Sequence, residues 1–133
     1  MKYLLDTNIL IFLIKQKPAQ VLSRFAQHSL SDVGISAISV AEMEYGVAKS
    51  GSAKNRQLLD GWLRLLQRPA FDEAAAHAYG NVRTALAQRG QPIGPLDTLI
   101  AAHALSLDVT LVTNNVREFS RVPGLRVEDW TAP

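Results

Sequence analysis

The chain has 133 residues, 47% of them hydrophobic and 20% charged, with a formal charge of +2 and no cysteine. That length and composition describe one globular domain over residues 1–133, and they argue against disorder. The missing cysteines exclude disulfides, thiolate metal sites and cysteine nucleophiles, which fits a cytoplasmic protein. No apolar stretch reaches the roughly 18 residues of a membrane span, and no small-residue cleavage site follows the apolar stretch Ile9 to Ile14, so we read no signal peptide and no membrane association.

In chain order, Lys2 to Leu5 reads as a short strand ending at Asp6, and Thr7 and Asn8 can cap a helix from Ile9 to Lys15. Pro18 suits the start of a second helix, with Val21, Leu22, Phe25 and Ala26 as its apolar stripe. Val33 to Ile35 is a second strand, followed by a helix from about Ala37 to Ala48. After the break at Gly51 and Ser52, the leucines from Leu58 to Leu66 and Trp62 mark another amphipathic helix. Pro69 to Phe71 reads as a short strand. Asp72 caps an alanine-rich helix that runs to Gln88 and stops at Gly90. The glycine- and proline-rich stretch from Gly90 to Pro95 is irregular, and a helix spans Leu96 to Ser106. Val109 to Val112 is the clearest strand, and Leu125 to Val127 reads as an edge strand. Short apolar strands alternating with helices predict an α/β fold, a mainly parallel sheet of four to five strands covered on both faces.

In such sheets ligands bind beyond the carboxyl ends of the strands. Asp6 closes the first strand there, although an acid at that place also serves as a helix N-cap. Glu42 lies in the helix after the second strand. With Ser39 it forms a capping-box pattern that would turn it back on its own helix; a start at Ser36 would instead free it to face a cleft. Glu44, two residues on, lies on the far side of that helix. Asp97 follows the stiff Pro92–Pro95 loop, either as a site residue or as an acid favoured by the helix dipole. Asn114 and Asn115 close the strand at Val112, either as turn residues or as site residues, and Glu118 stands one helical turn beyond Asn115. His28, His77 and His103 show no metal-ligand spacing, and His103 is about 240° around the helix from Asp97, so all three read as structural.

Carboxylates crowded together repel, and a bound cation relieves the repulsion. Oxygen-only donors select hard ions, Mg²⁺ or Mn²⁺, and such a site hydrolyses phosphodiesters without a protein nucleophile. Arg83, Arg89 and Arg117 are candidates for phosphate contacts.

The segments Leu4-Leu5-Asp6-Thr7-Asn8, Ala41-Glu42-Met43-Glu44-Tyr45-Gly46, Pro95-Leu96-Asp97-Thr98 and Val112-Thr113-Asn114-Asn115-Val116-Arg117-Glu118-Phe119 together resemble a PIN domain, and more narrowly the VapC toxins of toxin–antitoxin pairs, of the enterobacterial type. The resemblance covers Met1 to Trp130. It implies a three-layer α/β/α sandwich and a Mg²⁺- or Mn²⁺-dependent endoribonuclease that cuts structured RNA, commonly tRNA in the anticodon stem-loop, with initiator tRNA as a specific expectation. It further implies a homodimer neutralised by a VapB-type antitoxin whose tail occupies the active-site groove, with larger assemblies on DNA through the antitoxin. It makes Asp6, Glu42 and Asp97 the metal-binding acids and Asn115 a member of the catalytic set. Many PIN domains carry a fourth acid where Asn115 stands; Asn brings a carbonyl donor but no charge. That implies one tightly held metal, with Glu118 partly compensating and a second ion arriving with RNA.

Two other readings stand beside this one. A binding module without catalysis draws its support from the missing fourth acid. An aspartyl-phosphate phosphohydrolase would also place an Asp after the first strand, but it uses a second Asp two residues later, where this chain has Asn8.

Overall fold

The computed structural model describes all 133 residues. Its strands are β1 (Tyr3–Leu5), β2 (Val33–Ile35), β3 (Thr110–Val112) and β4 (Val127–Glu128). They form one sheet in the order β2-β1-β3-β4, with every pairing parallel. The helices are α1 (Thr7–Lys15), α2 (Ala19–Ala26), α3 (Ala37–Ser50), α4 (Ala53–Leu65), α5 (Glu73–Gln88), α6 (Pro95–Leu107) and α7 (Val116–Phe119), with a 3₁₀ turn at Leu30–Asp32.

Side chains alternate across the sheet, as strand geometry requires. Leu5, Ile35 and Val112 enter one core with residues of α1, α2 and α4 and with Trp130. Leu4 and Leu111 enter a second core with residues of α5, α6 and α7. The sheet is thus sandwiched between helical layers, as expected. Both layers are apolar because parallel strands buried on two faces have no side to give to water. Gly34 in β2 belongs to this packing: a Cβ there would meet the Met1 sulfur and the Gln67 carbonyl.

The order β2-β1-β3 has a direct consequence for function. The chain leaves β1 to one side for β2 and later returns to its other side for β3. The crevice at the carboxyl ends of β1 and β3 is the switch point where doubly wound sheets bind ligands.

Three local expectations are corrected. Pro69 to Phe71 is not a strand; contact with the sheet is a single bridge between Gly34 and Gln67, and Pro69 has no N–H with which to extend it. The first helix begins at Thr7 with Asp6 as its N-cap, so Thr7 and Asn8 lie inside the helix rather than capping it. The segment after β3 is not simply a turn but the short helix α7, with Asn115 at its N-cap position. No helix is long and apolar enough to cross a membrane.

Candidate active site

The cleft at the switch point has a volume of about 470 Å³ and is bordered by Asp6, Glu42, Asp97 and Asn115. All four residues singled out in the sequence therefore border one cavity, although they come from four places in the chain. Away from the acids the cleft becomes apolar, with Ile11, Ile14, Val47 and Leu58 along it and Lys15 and Asn55 also on its lining.

Asp6 is 5% exposed, and its placement starts from the sheet. Its backbone N–H donates to the Val112 carbonyl at 2.8 Å, extending the β1–β3 pairing one residue past the strand. Its carboxylate accepts from the Thr7 N–H at Oδ1 and from the Thr113 hydroxyl at Oδ2, each at 2.8 Å. The helix-cap reading and the site reading of Asp6 thus both describe the same side chain. Burial pushes its pKa up; the bonds from Thr113 and Thr7 oppose that, and Glu42 adds to it.

Glu42 escapes the capping box. Ser36, not Ser39, caps α3, accepting from the Ile38 N–H at 3.1 Å. Glu42 instead accepts the Thr7 hydroxyl at 2.8 Å on Oε1. Glu44 points elsewhere, into an ion pair with Arg56 that also includes Asp60.

Asp97 stands in the first turn of α6, whose N-cap Gly94 provides no side-chain cap. Its pKa is pushed up to about 6, first by burial and then by the charges of Asp6, Glu118 and Glu42. Asn115 donates its Nδ2 to Glu118 Oε2 at 3.0 Å and its backbone N–H to Thr113 Oγ1 at 3.0 Å. Since a carboxylate only accepts, the amide nitrogen must face Glu118, which leaves the Asn115 carbonyl oxygen free to accept a hydrogen bond or to ligate a cation.

The donor set is oxygen throughout, which suits a hard divalent cation, and four like-charged groups acting on one another are the condition that a cation relieves. The acids are not closed into a finished ligand shell: no three of them stand together around one point. Glu42 is occupied by Thr7, and turning it toward Asp6 and Asp97 breaks one hydrogen bond. The residues fit a divalent ion on chemistry and charge, with Asp6 held by two hydrogen bonds and Glu42 by one.

Thr113 was not singled out in the sequence, yet it joins Asp6 to Asn115. Its signal was position: a hydroxyl residue directly after a strand that pairs with β1. None of the three histidines borders the cleft. His103 is fully buried; its Nε2–H donates to the Ala70 carbonyl at 3.1 Å, so its Nδ1 accepts the Ser36 hydroxyl at 2.8 Å. His28 stacks on Trp130 with centroids 5.1 Å apart. His77 sits on exposed helix surface beside Asn81.

Comparison with known proteins agrees with this geometry. The family model for the PIN domain matches residues 3–125. The chain is 44% identical over 132 residues to the tRNA(fMet)-specific endonuclease VapC of Shigella flexneri, covering 98% of this chain and 99% of that one. It is 42% identical to Ribonuclease VapC2 of Haemophilus influenzae, over 98% of each chain. The crystal structure of DNA-bound VapBC from Salmonella typhimurium superposes with a TM-score of 0.90 at 42% identity, again over 98% of each chain.

Proposed function

The chain belongs to the PIN domain family, and from that premise we propose that it is an endoribonuclease toxin dependent on Mg²⁺ or Mn²⁺, held in check by a VapB-type antitoxin. The observation that carries the reading is the single cleft on which Asp6, Glu42, Asp97 and Asn115 converge, with Asp97 pushed up to about 6 by its neighbours' charge. Structured RNA is the substrate class. The name of the Shigella relative supports tRNA, and initiator tRNA in particular, and the anticodon stem-loop is the proposed cleavage region. The VapBC complexes among the structural neighbours support an antitoxin partner, and the two bound to DNA support assembly on DNA through it. Action in the cytoplasm as a homodimer completes the proposal.

In this reading Asp6, Glu42 and Asp97 hold the cation. When bound, it supplies charge neutralisation for a phosphodiester and activation of water. The protein's part is to keep the acids in place. Thr113 and Thr7 fix both oxygens of Asp6 and favour its charged form. Glu118 holds the amide end of Asn115 and adds negative charge beside Asp97. Thr7 stores Glu42 within reach of the cleft.

The test is incubation of the purified chain with total tRNA in Mg²⁺, Mn²⁺ or EDTA, beside an Asp6→Asn variant. Discrete, metal-dependent cuts that disappear in the variant are expected. Absence of cutting in either metal, by folded protein free of antitoxin, refutes the nuclease reading. One observation favours a second reading, a PIN module that binds without cleaving: Asn115 stands on the cleft in place of a fourth acid. Retained RNA binding with no cleavage in either metal would establish it.

A further inference from the structure

Beside the acid cleft lies a second recess of about 350 Å³, bordered by Tyr79, Arg83, Pro92, Ile93, Pro95 and Thr98 among others. Its wall is shared with the active site. Pro95 and Thr98 face the recess, while Asp97, between them in the same turn of α6, faces the cleft. The two cavities therefore lie on opposite sides of one helical turn, within about 10 Å of each other. Arg83 Nη1 donates to the Tyr79 hydroxyl at 2.9 Å, and Arg121 holds the loop by donating to the Pro92 carbonyl at 3.2 Å.

The ion pairs use Lys2, Arg24, Arg56 and Arg126. Arg83, which borders the recess, and Arg121, bonded to the Pro92 carbonyl, form no ion pair. Two free guanidinium groups at a recess that shares a helical turn with the acid cleft suit a polyanion.

We propose that the recess is a subsite for the RNA strand next to the scissile bond, a proposal that rests on the endoribonuclease reading. Arg83 takes a backbone phosphate. The ring of Tyr79 and the faces of Pro92 and Pro95 form apolar walls for one nucleobase. Arg121, bonded to the Pro92 carbonyl, adds a second positive charge beside it. RNA thus crosses the first turn of α6, with the bond to be cut over Asp97 and a neighbouring nucleotide in the recess.

The test measures binding of a short fluorescein-labelled RNA hairpin by fluorescence anisotropy in EDTA, over a series of KCl concentrations. Arg83→Ala should weaken binding about five- to tenfold and lower the slope of log affinity against log salt by about one. Arg83→Lys should keep the slope. Tyr79→Ala should weaken binding about fivefold or more through lost stacking, with the slope unchanged. Arg64→Ala, an exposed arginine at the end of α4, should behave as wild type. Thermal melts of each variant check folding, and Arg83 is exposed enough that its removal leaves the core intact.

Wild-type binding with Arg83→Ala indistinguishable from Arg64→Ala overturns the subsite while leaving the nuclease reading standing. Arg83→Ala or Tyr79→Ala that alters sedimentation but not RNA affinity also overturns it, and assigns the recess to a second copy of the chain. Failure of the wild type to bind RNA at all overturns the endoribonuclease reading, and the subsite with it.

Discussion

Removing the charge of Asp97 should make the metal-free protein more stable. Its carboxyl is pushed from an ordinary 3.8 to about 6 by burial and by Asp6, Glu118 and Glu42, so above pH 6 the fold holds a charge that it disfavours. That gap corresponds to about 3 kcal/mol at 1.36 kcal/mol per pH unit. Asp97 lies at a cleft open to water, and screening reduces the figure to roughly 1–2 kcal/mol. The Asn replacement also loses a first-turn anion against the dipole of α6, about 0.3–1 kcal/mol. The net expectation for Asp97→Asn is a gain near 1 kcal/mol, or about 3–5 °C in melting temperature for a chain of this size, measured by calorimetry at pH 7.5 in EDTA and low salt. The gain has a defined pH window. A raised carboxyl pKa lets the native wild type bind a proton before the unfolded chain does, so wild-type stability recovers as pH falls through 6, and the variant's advantage vanishes near pH 4. Mg²⁺ should reverse the order at pH 7.5, because ligand at ten times its dissociation constant contributes about 1.4 kcal/mol to the protein that binds it. Asp72→Asn, which keeps an N-cap acceptor on α5, should show none of these effects. An Asp97→Asn variant that melts at or below wild type in EDTA would refute the charge-repulsion account of the cleft.

Further expectations follow from the hydrogen bonds. Thr113→Val should cost about 1–3 kcal/mol in urea denaturation by leaving Asp6 Oδ2 and the Asn115 N–H without their partner, whereas Thr113→Ser should restore most of it; equal losses in both would show that the methyl group matters and the hydroxyl does not. Thr7→Val frees Glu42 from its one side-chain bond, and it should leave Mg²⁺ binding equal or tighter by isothermal titration, with a weaker site counting against Glu42 as the adjustable ligand. His103 is held neutral, its pKa lowered chiefly by burial. Below pH 6.5 the unfolded chain takes up a proton that the fold refuses, so this residue removes stability as pH falls by at most about 1.4 kcal/mol per pH unit. His103→Gln, itself less stable by about 2 kcal/mol from unpaired Ser36 and Ala70 groups, should show a smaller loss between pH 6.5 and 5 than wild type; an identical slope would place the acid sensitivity elsewhere.

What could be read from the residues was whatever a single segment determines. The strands Lys2–Leu5, Val33–Ile35 and Val109–Val112 are apolar runs too short for helices, and the resulting parallel sheet puts Asp6 at its carboxyl edge whatever else the chain does. Asp6 and Asp97 followed, since one sits just past a strand and the other just inside a helix that faces that edge. What no segment could decide was competition between partners. Ser36 and Ser39 offer equally good starts for α3. The choice is made 67 residues away, because His103 accepts the Ser36 hydroxyl and fixes the helix there, leaving Ser39 buried without a hydrogen bond. Only then is Glu42 released from a capping role and available to Thr7. The same holds for Thr113, an ordinary strand-end residue until β3 pairs with β1 and brings its hydroxyl to Asp6 across 107 positions of sequence. A buried histidine that reads as structural therefore has a consequence for the site: its bond to Ser36 favours the helix start that leaves Glu42 free of a capping role.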